Sequence, residues 1–188
     1  MTTVVYFIRH AKPDFSVKDD RLRPLTESGL SASLEVTRAL KGHRLDRIFS
    51  SPYKRAYDTV LDLSRQRNLA ITTIEDFRER RVDSVWIDDF LEFSKRQWSD
   101  FDYKLQDGES LREVQQRNIN ALRILLNQYA GEHFAIGTHG TAMSTIFNYF
   151  DPSFSFNEFW SIVDKMPYIA RFIFEGQGLI KNHPVAFA

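Results

Sequence analysis

Two apolar runs of strand length, Val4-Val5-Tyr6-Phe7-Ile8 and Phe134-Ala135-Ile136-Gly137, each lead directly into a polar pair ending in histidine, Arg9-His10 and Thr138-His139. Runs this continuous are buried on both faces, as strands are inside a parallel sheet covered by helices. A helix-compatible segment follows each. Both imidazoles are therefore expected at the carboxyl edge of one sheet, where ligands of open α/β sheets bind.

The segments between keep an alternating rhythm. Thr26 suits the cap of a helix whose expected inner side is Leu30, Leu34, Ala39 and Leu40. Arg47 to Ser50 follows as a strand, and Ser51-Pro52 reads as the cap and first residue of a helix with Arg55 in its first turn. Ala70 to Ile74 is rich in β-branched residues and delivers the chain to Phe77-Arg78-Glu79. Strands and helices in this order imply right-handed βαβ units. Residues 80–107 break the rhythm: Ile87, Phe90, Leu91, Ser94 and Trp98 recur at helical spacing, which predicts an inserted amphipathic helix. Ser110-Leu111-Arg112-Glu113 is a capping box opening a long helix. Thr141 to Tyr149 is a further helix, and Tyr168 to Phe174 the last strand before a frayed carboxyl end. The aromatic residues Phe147, Tyr149, Phe150, Phe154, Phe156, Phe159 and Trp160 are expected in the core. The expected architecture is one α/β domain over residues 1–188, three layers α/β/α, with a mostly parallel central sheet and a small helical cap at about 80–107.

Composition narrows the chemistry. A chain of 188 residues can bury roughly 70% of its unfolded surface. Lysine plus arginine and aspartate plus glutamate both total 25, so no global field favours nucleic acid or an anionic membrane as partner. The absence of cysteine excludes thiolate nucleophiles and disulfides and fits a reducing compartment. The first strand starts too early for a secretory signal and no apolar run reaches membrane-spanning length, so a cytoplasmic protein is expected. No two histidines stand at metal-ligand spacing on one helix, which leaves a scattered metal site as the weaker alternative.

Phosphoryl transfer with a protein nucleophile needs an attacking atom, cations around the phosphoryl oxygens and a proton source for the leaving oxygen. His10, Arg9, Arg55, His139 and Glu79 can supply all three. A neutral imidazole is a competent nucleophile. Two arginines and a protonated His139 would offset a phosphate dianion, and Glu79 would protonate the leaving oxygen and then deprotonate the attacking water. Singly, each residue has an ordinary reading: a strand-end histidine as a hydrogen-bonded structural group, Arg55 as a solvated helix residue, Glu79 as one charge in a charged run. His43, His133 and His183 are read as structural or surface residues. Lys12, Lys18, Arg21 and Arg23 form a basic loop able to steer anions.

Taken in order, Arg9-His10, Ser50-Ser51-Pro52-Tyr53-Lys54-Arg55-Ala56, Phe77-Arg78-Glu79 and Thr138-His139-Gly140, together with Pro24-Leu25-Thr26-Glu27-Ser28-Gly29 and Gly108-Glu109-Ser110, resemble the histidine phosphatase superfamily, the phosphoglycerate-mutase-like fold. The resemblance spans almost the whole chain. It implies that His10 is the phosphorylated histidine, that Arg9, Arg55 and His139 form the phosphate pocket, and that Glu79 is the proton donor. It also implies a phosphatase acting without cofactor or metal on a small phosphorylated metabolite, with a mutase or a non-catalytic phospho-ligand-binding protein as alternatives. Ala11 stands where the family usually has glycine and Ser16 where asparagine is frequent. After Glu79 the run Arg80-Arg81-Val82-Asp83-Ser84-Val85-Trp86 departs from the common pattern, so substrate specificity does not carry over. The insert, with Trp86, Trp98, Phe101 and Tyr103, is expected above the pocket, and Arg80 or Arg81 is expected to meet a second anionic group. Oligomeric state stays open.

Overall fold

The computed structural model describes residues 1–84 and 87–187; Trp86, expected in the cap, lies outside them. β1 (Thr2–Arg9), β2 (Arg47–Ser50), β3 (Ile71–Thr73), β4 (His133–Thr138), β5 (Tyr168–Glu175) and β6 (Gly178–Pro184) form one sheet in the order β3-β2-β4-β1-β5-β6. β3, β2, β4 and β1 are parallel, while β5 pairs antiparallel with β1 and β6 antiparallel with β5. The sheet is thus mostly parallel, with an antiparallel margin.

β1 shows why the strand runs are apolar throughout. Val5 and Phe7 enter one core with residues of α4 (Leu111–Gln128) and α5 (Gly140–Phe150), while Val4, Tyr6 and Ile8 enter another with residues of α1 (Glu27–Ala39) and α2 (Lys54–Arg67). The period of two places each side chain from Val4 to Ile8 against one helix layer or the other. Connections from β1 and β4 leave to opposite sides of the sheet, and β1 and β4 are neighbours in register Arg9 to Thr138. That pair is the topological switch point, and its carboxyl edge carries both histidines.

α3 (Phe90–Ser99) lies in the insert and packs near α6 (Phe156–Ser161), where Trp98 stacks on Phe159 at 5.5 Å over Leu111. Its buried side is Phe93, Ser94, Gln97 and Trp98, one step round from the expected face, and the helix opens at Phe90 with Asp89 as its cap. α1 also differs: Leu30 and Leu34 are 50% and 41% exposed, while Gly29, Ser33 and Val36 face inward. α2 begins at Lys54 with Tyr53 as its cap residue, two positions beyond the Ser51 expectation. The Ser110–Glu113 capping box is formed. Phe147 and Phe159 are core residues, but Tyr149 is exposed. The expected frayed end is instead β6, an edge strand whose Lys181, Asn182 and His183 give it no apolar alternation to read. Among the described residues no helix is long and apolar enough to cross a membrane.

Candidate active site

His10 extends the β1–β4 ladder by one residue, its N–H donating to Thr138 O at 3.0 Å. The next N–H, of Ala11, donates to Thr59 Oγ1 at 3.0 Å, and that hydroxyl donates to Arg55 O at 2.7 Å. The turn after β1 is thereby tied to the helix that bears Arg55. His10 Nδ1 lies 2.8 Å from Ala11 O. A carbonyl can only accept, so Nδ1 holds the hydrogen and Nε2 of the neutral ring keeps its lone pair. Burial, then the Arg55 and Arg9 cations, hold the His10 pKa well below its ordinary value, so the ring is neutral at physiological pH.

His139 is fully buried, its ring 5.3 Å from that of His10 and 5.2 Å from that of Tyr53. Nε2 bonds Ser51 Oγ at 2.8 Å, and Nδ1 is a buried atom with no protein partner. The protonated His139 expected above is the ring beside a bound phosphate dianion; in the free protein burial, then the Arg55 charge, push its pKa far down. It enters the site as a neutral ring whose Nδ1 is free to meet a ligand oxygen.

Arg9 is the last residue of β1. Its Nη1 donates to Ile162 O at 2.7 Å, and its Nε is buried without a partner. Burial lowers its pKa to about 10, which leaves it cationic, and the charges of Glu79 and Arg55 act on it directly. The guanidinium slides across Gly140, where an added Cβ would stand 3.0 Å from Arg9 Cζ and Nε. Arg55, in the first turn of α2, is braced by Asp20: Nη2 pairs with Asp20 Oδ1 at 3.1 Å and Nη1 donates to Asp20 O. Its guanidinium carbon lies 5.2 Å from the centroid of the Tyr53 ring.

Glu79 follows the short 3₁₀ turn at Glu75–Phe77. Its carboxylate accepts from Thr141 N and Ala142 N, both at 3.1 Å, and from Arg80 N at 2.8 Å. Two of these donors, on the second and third residues of α5, are free N–H groups of its first turn, in the helix whose N-cap residue is His139. Glu79 is thus aimed at the start of the same helix that presents His139.

All five expected residues therefore converge on the β1–β4 edge. Arg80 does not meet a second anion: it is 3% exposed, donates to Gln97 Oε1 and lies 5.0 Å from the Phe93 ring centroid and 5.4 Å from that of Phe90. It fastens the insert. The main-chain N–H of Arg81 donates to Glu109 Oε2 at 2.9 Å, and the residue is exposed. Within the basic loop, Arg23 is buried and pairs with Asp20, and Arg21 pairs with Glu75. Ser51, read as a cap, is the partner of His139, and Asp20, Tyr53 and Thr59 were not singled out by sequence. Thr59 had a signal, since it sits four residues after Arg55 on the same helical face. Among the described residues no group of three or more histidine, aspartate or glutamate side chains is arranged to hold a metal ion.

The family described as histidine phosphatase superfamily (branch 1) matches residues 5–179. Among solved structures, YhfR of Bacillus stearothermophilus superposes with a TM-score of 0.79 at 24% identity, covering 94% of this chain and 94% of that one. A mycobacterial glucosyl-3-phosphoglycerate phosphatase gives 0.78 at 16% identity over 100% of both chains. A phosphoserine phosphatase mutant from Entamoeba histolytica, in complex with phosphoserine, gives 0.76 at 20% identity over 98% of this chain and 96% of that one. These likenesses show a shared fold. Among curated protein sequences none matches.

Proposed function

The chain belongs to the histidine phosphatase superfamily, branch 1, and from that premise we propose that it hydrolyses a small phosphorylated metabolite through a phosphohistidine at His10, without a metal ion. The observation that carries this reading is the 2.8 Å contact of His10 Nδ1 with Ala11 O, which leaves Nε2 as a buried lone pair beside two arginines and a second imidazole. Nε2 attacks phosphorus, an N–P bond forms, and the P–O bond to the leaving oxygen breaks. Arg9 and Arg55 hold the phosphoryl oxygens, each donor of this kind being worth roughly 10²–10³ in rate. A phosphate dianion competes with the half-exposed Asp20 carboxylate for the Arg55 fork, and the greater charge favours the dianion. His139 Nδ1 is the remaining donor, and charge brought in by the substrate favours its protonation.

An alkoxide is too basic to depart unaided, so Glu79 in its acid form passes it a proton, a contribution of about 10²–10⁴. Glu79 then takes a proton from water as the water oxygen attacks phosphorus and the N–P bond breaks, releasing inorganic phosphate. Likeness over nearly equal chain lengths to proteins named as phosphatases supports hydrolysis rather than transfer to a second hydroxyl.

The test is turnover of p-nitrophenyl phosphate together with alkaline-quench trapping of label from a radiolabelled monoester. Wild type should show an alkali-stable, acid-labile adduct, and H10A should show neither adduct nor turnover. Turnover retained by H10A refutes the mechanism. Isomerisation of a phosphoglycerate would make the chain a mutase, and tight phospho-ligand binding without turnover a binding protein.

A further inference from the structure

Glu79 is gripped from two directions. Its carboxylate is held by the start of α5, and its main chain by a cluster of side chains joined to it by hydrogen bonds, whose Arg117 charge also reaches His139. Arg117, on α4, donates from Nη1 to Asp76 O at 2.6 Å and Arg78 O at 2.9 Å, and from Nη2 to Glu79 O at 3.2 Å. The same guanidinium meets Glu109 through Nε at 2.9 Å and Nη2 at 3.2 Å. Arg78 also reaches both Glu79 O, at 3.2 Å, and Glu109 Oε1, at 2.8 Å.

Glu109 closes the cluster on the far side of Glu79. Its Oε2 accepts from Arg81 N at 2.9 Å and its own N–H donates to Arg81 O at 2.8 Å. The approach is so close that a Cβ on Gly108 would stand 2.1 Å from Val82 O. Both side chains are largely buried, 12% exposed for Arg117 and 16% for Glu109. Although burial raises the Glu109 pKa, hydrogen bonds from Arg78 and Arg117 carry it down to about 2, so it is charged at any working pH.

A surface-fastening role would need one such bond. Here a guanidinium engages the carbonyls of residues 76, 78 and 79 while its carboxylate partner engages the amide of residue 81, so the two flank the Glu79 α-carbon. We propose that Glu109 and Arg117 are positioning residues for acid–base catalysis, clamping the main chain on both sides of Glu79 so that its carboxyl reaches the leaving oxygen. They act through Glu79 and touch no substrate. The inference rests on the reading of Glu79 as the proton carrier.

Leaving-group chemistry separates this from a structural role. p-Nitrophenolate departs without a proton, whereas a glycerol alkoxide does not. kcat/KM reports only the steps up to departure of the leaving group, so hydrolysis of the phosphohistidine does not blur the comparison. The experiment measures kcat/KM on p-nitrophenyl phosphate and glycerol phosphate for the full-length wild type, E79Q, E109Q and R117M. E79Q should lose about 10²–10⁴ on glycerol phosphate and far less on the aryl ester. R117M and E109Q should follow the same pattern at about 10- to 100-fold, the size expected when a catalytic group is displaced by a fraction of an ångström.

Should R117M fail to fold, E109Q alone decides, since it keeps the side-chain volume and removes only the charge. Equal losses on both substrates in the clamp variants, with E79Q still discriminating, overturn the positioning role. Equal losses in E79Q itself overturn the proton-carrier reading, and the clamp's role with it.

Discussion

Every group in the proposed phosphate pocket hangs from the sheet or from a helix start beside it: Arg9 ends β1, His10 is one residue further, His139 is the N-cap residue of α5 and Arg55 lies in the first turn of α2. The adjoining insert is attached differently. Beyond two main-chain bonds, Glu109 N–H to Arg81 O at 2.8 Å and Arg112 N–H to Phe101 O at 3.0 Å, it is held by side chains, with Arg80 bonded to Gln97 and packed on Phe93, and Trp98 stacked on Phe159. Backbone ladders place the pocket to within the tolerance that bond-making demands, while the insert is placed largely by contacts that single substitutions can remove. On the proposed function, handling of the phosphoryl group would thereby be separated from the insert, and the two parts meet at the peptide between Glu79 and Arg80. If that division is right, damage to the pocket costs rate with little loss of fold, and damage to the insert costs local stability with little loss of rate on an undemanding substrate.

The largest effect should come from the pocket. R55M removes a positioned phosphate donor and should cost about 10²–10³ in kcat/KM for p-nitrophenyl phosphate. The thermal transition should stay near that of wild type, because the Asp20 carboxylate left behind is partly exposed and can be solvated. A large drop in Tm with a modest drop in rate would break the comparison at its first term.

The second prediction concerns pH. His10 and His139 are buried neutral, with pKa values well below the ordinary 6.5, and residues 80–107 contain no histidine. Below about pH 6.5 the unfolded chain binds protons that the folded chain refuses, so stability is complete above that pH and falls as pH drops. Each imidazole contributes a slope of up to roughly 1.4 kcal/mol per pH unit. Urea unfolding between pH 7 and pH 5 should show this loss, and H139Q should remove one such share of the slope. An unchanged slope in H139Q would mean that His139 is not held neutral. The carboxylates with depressed pKa values, such as Glu109, act only at lower pH.

How legible each part was follows the same division. Pocket residues sit where apolar runs stop, so a pattern of strand, polar pair and helix located Arg9, His10 and His139, and chain order supplied Arg55 and Glu79. The local chemistry that readies them was hidden. The acceptor for His10 Nδ1 is the carbonyl of its own neighbour, set by backbone angles that a sequence does not display. Ser51 reaches His139 from 88 positions away. Periodicity misplaced the inner face of α1 because small residues, Gly29 and Ser33, turn inward and leave Leu30 and Leu34 outside. It also shifted the face of α3, where buried Gln97, bonded to the buried Arg80 that precedes the helix, takes a place normally read as solvent-facing. Counting apolar residues found the helix but not the face that polar residues anchor.

The smallest effect, and the sharpest test of the division, is R80A. Gln97 is fully buried, donates to Tyr103 O and Glu109 O at 2.9 Å each, and relies on Arg80 to satisfy Oε1. Without that guanidinium a buried acceptor is stranded, which costs about 1–3 kcal/mol, and Phe90 and Phe93 lose a packing partner. Burial already strains the arrangement, lowering the Arg80 pKa to about 10, so the cost stems from the stranded acceptor and lost contacts more than from a lost charge. Hydrogen exchange should quicken across α3 and leave β1 and β4 as protected as before. Turnover of p-nitrophenyl phosphate should stay close to wild type, while turnover of alkyl esters falls as the insert loosens beside Glu79. If R80A instead abolishes turnover of both, the insert takes part in building the pocket, and the two regions must be treated as one cooperative unit.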